Sequence, residues 1–262
     1  MDYLTHNKNT WNAKTPIHVK SDFYNNESFL KGRNTLIDIE LKLLGDLKGK
    51  SILHLQCHFG QDTISLARMG ASVTGIDLSD KAIAQAQEFA TQTGADAEFI
   101  CCNIYDLPKI LDKKFDIVFT SYGVIGWLPD MKKWSEIVSH FLKPKGQFIM
   151  AEFHPTLWMF DDDFTKVEYG YFNSGPIEEV YEGTYADFNS AVKTTTVCWN
   201  HSLADVLGNL LAQGLMLDHF EEFDYSPYPC FKEVEEFEPG KYRIPTMGNK
   251  IPMIYALTAT KK

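Results

Sequence analysis

The sequence predicts an α/β fold, a parallel sheet with helices on both faces. Three observations carry this expectation. Short apolar runs alternate with helical stretches from residue 51 to 153. Strands joined through helices return to the same end of the sheet and so pair in parallel. Residues 51–77, SILHLQCHFGQDTISLARMGASVTGID, read strand, turn, helix, strand and then an acid, Asp77. Such a unit aims a helix N-terminus at a polar group and places a carboxylate where ribose hydroxyls can bond to it. From about 155 the texture changes to alternating Tyr, Phe, Thr and Val, which predicts antiparallel strands outside the parallel run.

Taken in order, residues 1–30 are polar with scattered aromatics: Tyr3, Trp11, Phe23 and Tyr24. Residues 34–46 have helical apolar spacing. The first strand is expected at 51–56, a helix at 61–70, and the second strand at 72–77. A helix at 80–93 opens on Ser79 or Asp80 as its N-cap. Strands follow at 97–102 and 115–121, a helix at 130–142, and a fifth strand at 146–153. Residues 155–199 predict two or three antiparallel strands. A helix at 202–213 and a strand at 215–225 follow. Residues 226–250 carry Pro227, Pro229, Pro239 and Pro245 and read as a loop, and a strand at 251–260 closes the chain.

Bulk composition narrows the classes of function. The chain has 262 residues, 44% of them hydrophobic, enough for one large domain with a sizeable core. A net charge of −10, with no basic run, argues against a nucleic-acid backbone as partner. The N-terminus lacks the apolar core of a signal peptide, and no apolar stretch approaches the ~20 residues that span a bilayer. Cys57, Cys101, Cys102, Cys198 and Cys230 are an odd set without C-x-x-C spacing. They predict reduced thiols in a cytoplasm. His54, Cys57, His58, Cys101 and Cys102 do not predict a metal site, since adjacent cysteines on a strand face opposite sides.

These motifs, in this order, resemble a class I S-adenosylmethionine (SAM)-dependent methyltransferase over residues 50–153, and by topology over 202–260. That family closes its first strand with a glycine-rich loop of the form LDLGCGTG. Here the stretch reads LHLQCHFG. His54 stands at the acid, Gln56 at the first glycine and His58 at the second, and only Gly60 remains. Asp77 in GIDLS matches the ribose-binding acid, and Asn103 in CNIYDLP stands at the adenine-contacting acid. FDIVFTSYGVIGWL and LKPKGQFIM match the fourth strand and the turn into the fifth.

The resemblance implies a Rossmann-like, doubly wound, seven-stranded mixed sheet whose last strand is antiparallel, with a β-rich insertion after strand five. It divides the chain into an N-terminal cap segment and helix (1–50), a SAM-binding core (51–154), a substrate-covering insertion (155–199) and the rest of the core (200–262). It implies a cofactor site of Tyr24, Gln56, His58, Gly60, Asp77, Leu78, Asn103, Ile104 and Ser121. SAM would be turned over there to S-adenosylhomocysteine (SAH). Trp11 and Tyr24 are expected to fold back over the cofactor. Tyr122, Trp127 and Trp158 are expected at a small-molecule acceptor. His154, leaving the fifth strand at the ligand rim, is expected as base or orienting group. Gln and His hold glycine's left-handed conformation only at a cost, so the loop is either remodelled around SAM or no longer binds it. A non-catalytic SAM or nucleoside sensor is therefore the alternative. A nicotinamide enzyme would need the G-x-G-x-x-G that is missing here. The acceptor atom and the oligomeric state have no signature in the sequence.

Overall fold

The computed structural model describes residues 2–262. Five parallel strands, β1 (Ser51–Leu55), β2 (Ser72–Asp77), β3 (Ala97–Cys101), β4 (Phe115–Ser121) and β5 (Leu142–Phe153), are extended by β8 (Leu215–Phe223) and β11 (Ile254–Lys261). Their spatial order is β3-β2-β1-β4-β5-β11-β8. β1 pairs in parallel with both β2 and β4. β11 runs antiparallel to β5 and to β8, as expected for the last strand. The order reverses between β1 and β4, so the crevice beyond their C-terminal ends is where this architecture places ligands.

The strands are apolar on both faces because both are covered. Leu53, Leu55, Phe148 and Leu257 point into a core with Trp134 and Phe141 of α6 (Met131–Phe141) and Leu210 of α7 (Leu203–Ala212). Their strand neighbours Ile52, Phe119 and Ile149 point the other way. They meet Leu44 of α3 (Asp38–Leu44) and Leu66 of α4 (Gln61–Arg68). Ser79 caps α5 (Asp80–Thr93), its Oγ accepting the Ala82 N–H at 3.0 Å. That settles the choice between Ser79 and Asp80.

Three expectations need correction. The fifth strand starts at Leu142, not 146, because Lys145 takes a left-handed turn (φ 63°) inside it. The proline-rich 226–250 segment contains a short hairpin, β9 (Glu235–Glu238) with β10 (Lys241–Arg243). The polar N-terminus forms a 16-residue helix, α1 (Tyr3–His18), capped by Asp2, whose side chain accepts the Thr5 N–H. A five-residue α2 (Asn26–Leu30) follows it. The buried face of α1 is Asn7, Thr10, Lys14, Thr15 and His18, helical in spacing but polar, so no apolar stripe announced it.

After β5 the chain adds an antiparallel hairpin, β6 (Ile177–Glu182) with β7 (Lys193–Cys198). α1 docks on β7 through polar bonds. The Asn7 amide donates to Val197 O at 2.8 Å and accepts the Val197 N–H at 2.9 Å. The Thr10 hydroxyl donates to Thr195 O at 2.7 Å.

Glu152, 1% exposed near the end of β5, positions the loop after β4. Its carboxyl accepts the backbone N–H groups of Gly123, Val124 (2.9 Å), Ile125 (3.2 Å) and Phe153 (2.7 Å). Burial raises its pKa and those four donors oppose the rise. Glu152→Leu strands buried N–H groups at ~1–3 kcal/mol each. Urea unfolding of that variant is expected to show a loss of about 3–5 kcal/mol.

Gly60, which caps α4 with φ 81°, is fixed by packing. A Cβ there would lie 2.7 Å from a Phe99 ring carbon and 2.8 Å from the Ala86 Cβ. Gly94, with φ 63°, faces open space. Gly94→Ala should cost about 1 kcal/mol, for conformation alone. Gly60→Ala should cost about 2–4 kcal/mol, because strain and overpacking add. Unfolding midpoints of the two variants side by side test the difference.

Candidate functional site

The loop leaving β1 keeps a glycine-type backbone without the glycines. Gln56, His58 and Gly60 all have positive φ (54°, 52° and 81°). Two side chains are thus held left-handed, at about 1–2 kcal/mol each. Bonds to the neighbouring loops hold them there. Gln56 Nε2 donates to Val124 O at 2.8 Å, and the His58 N–H donates to Asp77 Oδ2 at 2.9 Å. Gln56 Oε1 and His58 Nε2 are buried with no partner. Buried polar atoms without partners are rare, and at this crevice they suit a polar ligand.

Asp77 ends β2 partly buried. Its Oδ1 accepts the Ser79 N–H at 2.8 Å, while Oδ2 holds the His58 N–H. Each oxygen keeps a second lone pair for a hydroxyl. Burial raises its pKa to about 6, against the pull of these backbone donors. Leu78 follows it. Asn103 stands at the end of the neighbouring strand β3, where its Oδ1 accepts the Tyr105 N–H at 3.2 Å and leaves the amide NH2 for a ligand edge. Ile104 lies in the main core, so its side chain packs against protein. Ser121 ends β4 and, with the Thr35 hydroxyl at 2.6 Å, satisfies Asp62.

Aromatic side chains from α1 and the insertion close over this loop. The Trp11 ring meets His58 at 5.1 Å and Trp127 at 5.2 Å. The Tyr24 hydroxyl bonds that of Tyr185 in the insertion and lies 3.3 Å from His58 Nδ1. His18 packs 4.7 Å from Tyr185, with both ring nitrogens unpartnered. Burial, then the Lys14 charge, pushes His18 down to about 3, so it is neutral. Lys14 itself is buried over the Trp11 and Trp127 rings, at 5.6 and 5.8 Å. An open groove of about 830 Å³ lies elsewhere, between Tyr105, Asp130, Phe172 and Asp205, and no predicted cofactor residue lines it.

The predicted acceptor residues fall on two walls. Trp127 donates its indole N–H to Gly123 O at 2.8 Å and stands with Trp11. Tyr122, strained at φ 36°, stands at the end of β4 with Tyr228 (5.2 Å) and Phe153 (5.9 Å). Trp158 extends that second wall, 5.7 Å from Phe153, and is 37% exposed.

His154 is a correction. Its Nδ1 lies on the Thr156 hydroxyl and its Nε2 is 2.8 Å from Glu222 of β8. Both ring nitrogens lie beside protein groups, Thr156 and Glu222, so in this structure the ring is committed to them. His54, expected at the family's acid position, is a buried neutral histidine bonded to the Thr63 hydroxyl at 2.9 Å. Sequence reasoning passed over Glu40, Lys14, His18, Glu152 and Tyr185. Glu152 had one signal, a lone acid inside the apolar run FIMAEF.

Comparisons with known proteins agree with this geometry. Residues 52–146 match the methyltransferase domain family. An uncharacterized methyltransferase of Synechocystis is 32% identical over 131 residues, 49% of this chain and 59% of that protein. A ubiquinone biosynthesis O-methyltransferase of Coxiella burnetii is 29% identical over 136 residues, 51% of this chain and 57% of that protein. The chain thus spans under two thirds of the length of these curated relatives. Among solved structures, an S-adenosylmethionine-dependent methyltransferase from Mesorhizobium loti superposes with a TM-score of 0.59 at 21% identity, over 88% of this chain and all of that one. Geranyl diphosphate C-methyltransferase from Streptomyces coelicolor superposes with a TM-score of 0.63 at 14% identity, over all of this chain and 99% of that one. Residues 52–146 therefore belong to the methyltransferase domain family, and the sheet that carries them has the class I S-adenosylmethionine-dependent methyltransferase fold.

Proposed function

We propose that the protein transfers a methyl group from SAM to a small-molecule acceptor. The observation that carries this reading is the Asp77 clasp on a loop that keeps its left-handed backbone at residues 56, 58 and 60. The loop keeps this backbone with Gln56 Oε1 and His58 Nε2 buried and unpartnered, and a polar ligand would satisfy both. That weighs against a loop that has lost its ligand.

In this reading Asp77 accepts the ribose hydroxyls. Leu78, the Asn103 amide and the Ile104 backbone take the adenine end. Gln56 Oε1, His58 Nε2 and the backbone around Gly60 and Ser121 receive the methionine end, with Trp11 and Tyr24 above. SAM supplies a methyl group already activated on a sulfonium. The chain's own task is to align the acceptor and exclude water, which the rings of Trp11, Trp127, Tyr24 and Tyr185 do. The relatives named for ubiquinone biosynthesis and geranyl diphosphate support a small-molecule acceptor. Among the described residues no helix is long and apolar enough to cross a membrane. The five free thiols support a reducing compartment, the cytoplasm.

Two measurements by SAH titration calorimetry test this. Asp77→Asn should weaken SAH by about 1.5–3 kcal/mol, through loss of charge-assisted bonds. Unchanged affinity would remove Asp77 from the site. In the parent, SAH affinity should rise between pH 5 and 7 with a midpoint near the Asp77 pKa of about 6, since only the ionised carboxylate accepts both hydroxyls. The Asp77→Asn protein should show no such rise. A flat profile in the parent would sink the assignment.

A further inference from the structure

The face of α1 over the cofactor loop holds a cation for which the chain supplies no anion. Lys14 is 8% exposed, and among the described residues its ammonium makes no hydrogen bond or ion pair. No acid bears on it. The group that does is the Cys198 thiol of β7, which burial and then the Glu179 charge push up to about 12, so it is neutral. Glu179 itself is taken by the Tyr169 and Tyr181 hydroxyls. The Trp11 and Trp127 rings lie 5.6 and 5.8 Å from the Lys14 ammonium. Their quadrupoles offset part of its desolvation but carry no net charge. His18, one helical turn further along the same face, is 0% exposed with both ring nitrogens unpartnered. A neutral imidazole carries one N–H in either tautomer, so His18 holds a donor without an acceptor. The His58 ring, with its own unpartnered Nε2, lies 5.2 Å from His18 and 5.1 Å from Trp11. The surroundings are not sealed: Trp11, His58, Trp127 and Cys198 all keep accessible surface.

A buried charge without a partner is costly, and an anion that completes it stabilises the site and binds well there. A carboxylate matches what is offered. Its single charge meets one ammonium, and its two oxygens take the ammonium and the His18 N–H. A phosphate dianion would leave a second charge without a cation, and an amine ligand would meet Lys14 with like charge. We infer that Lys14, with His18, is the seat of a ligand carboxylate against the Trp11 and Trp127 wall. The inference rests on the methyl-transfer reading above. Two molecules in that reading carry the group. One is an acceptor acid, for which Trp127 and Cys198 of the insertion are the neighbours. The other is the methionine end of SAM, for which His58 of the cofactor loop is the neighbour. In both cases the ligand brings the anion that the chain lacks, and Lys14 discriminates against neutral and cationic analogues.

The test is calorimetry with two matched pairs of ligands. Benzoate and benzamide, titrated into SAH-saturated protein, differ in charge and little in shape. SAH and decarboxylated SAH, titrated into the free protein, differ only in the carboxylate. In the parent, at least one pair should show a tenfold or greater preference for its carboxylate member. A preference in the first pair assigns the seat to the acceptor, and in the second to the cofactor. Lys14→Met should reduce that preference below threefold. Both pairs within threefold in the parent, or a preference that survives in Lys14→Met, overturns the inference. The ligand-free unfolding midpoint separates this role from a structural one. Lys14→Met removes an unpaired buried charge and should unfold at the parent's temperature or above it. A midpoint lowered by more than about 5 °C, or a variant that does not fold, assigns Lys14 to holding α1 in place and overturns the inference. Failure of the parent to bind SAH at all overturns instead the reading on which this one rests.

Discussion

The Asp77 carboxylate is the constraint from which the site is built. One oxygen holds the Ser79 N–H and fixes the start of α5; the other holds the His58 N–H and fixes the loop after β1. Without that second bond, nothing near His58 would favour a left-handed backbone on a β-carbon-bearing residue. Glu152 does the same for the loop after β4 by gathering four backbone donors. Gln56 then joins the two loops through Val124 O. One partly buried acid, one buried acid and one amide thus set the positions of three loops from three different strands. At residues 56 and 58 a left-handed backbone is held by hydrogen bonds on residues that carry side chains, and Gln56 adds a cross-link between loops.

The sheet was legible because its signals are local and apolar. Runs such as Ile52–Leu55 and Val73–Ile76 leave few alternatives once helices separate them. Asp77 was legible from its place after such a run. α1 was not, because periodicity is sought in apolar residues and its buried face is Asn7, Thr10, Lys14 and His18. Glu40 was hidden for the same reason. An acid between Ile39 and Leu41 in a short helix reads as surface, and only the docking of α3 on β5 and β11 buries it. His154 shows the opposite error. It does follow the fifth strand, but a side chain's direction depends on partners far along the chain, here Glu222.

The site also has a charge polarity that no single residue displays. Lys14, with neutral His18 and His58, lies on the α1 side; Glu40 and Asp62 lie on the α3 and α4 side. Among buried aromatic rings the local dielectric is low, so each of these groups feels its neighbours more strongly than it would in water. A ligand whose charges run the other way meets both poles unfavourably, which is specificity by exclusion as much as by attraction.

The polar seam between α1 and β7 sets how the molecule responds to temperature. Core burial changes heat capacity because apolar surface leaves water, and it weakens on cooling. The seam itself is made of an asparagine amide, a threonine hydroxyl and strand carbonyls, while the Tyr3 and Trp11 rings of the same helix pack on Trp199, His58 and Trp127. Parting α1 therefore breaks a few hydrogen bonds and also uncovers these rings, with a heat-capacity change set by that limited area. Local opening over the cofactor loop and global unfolding expose apolar surface to different extents, so the two equilibria follow different temperature curves.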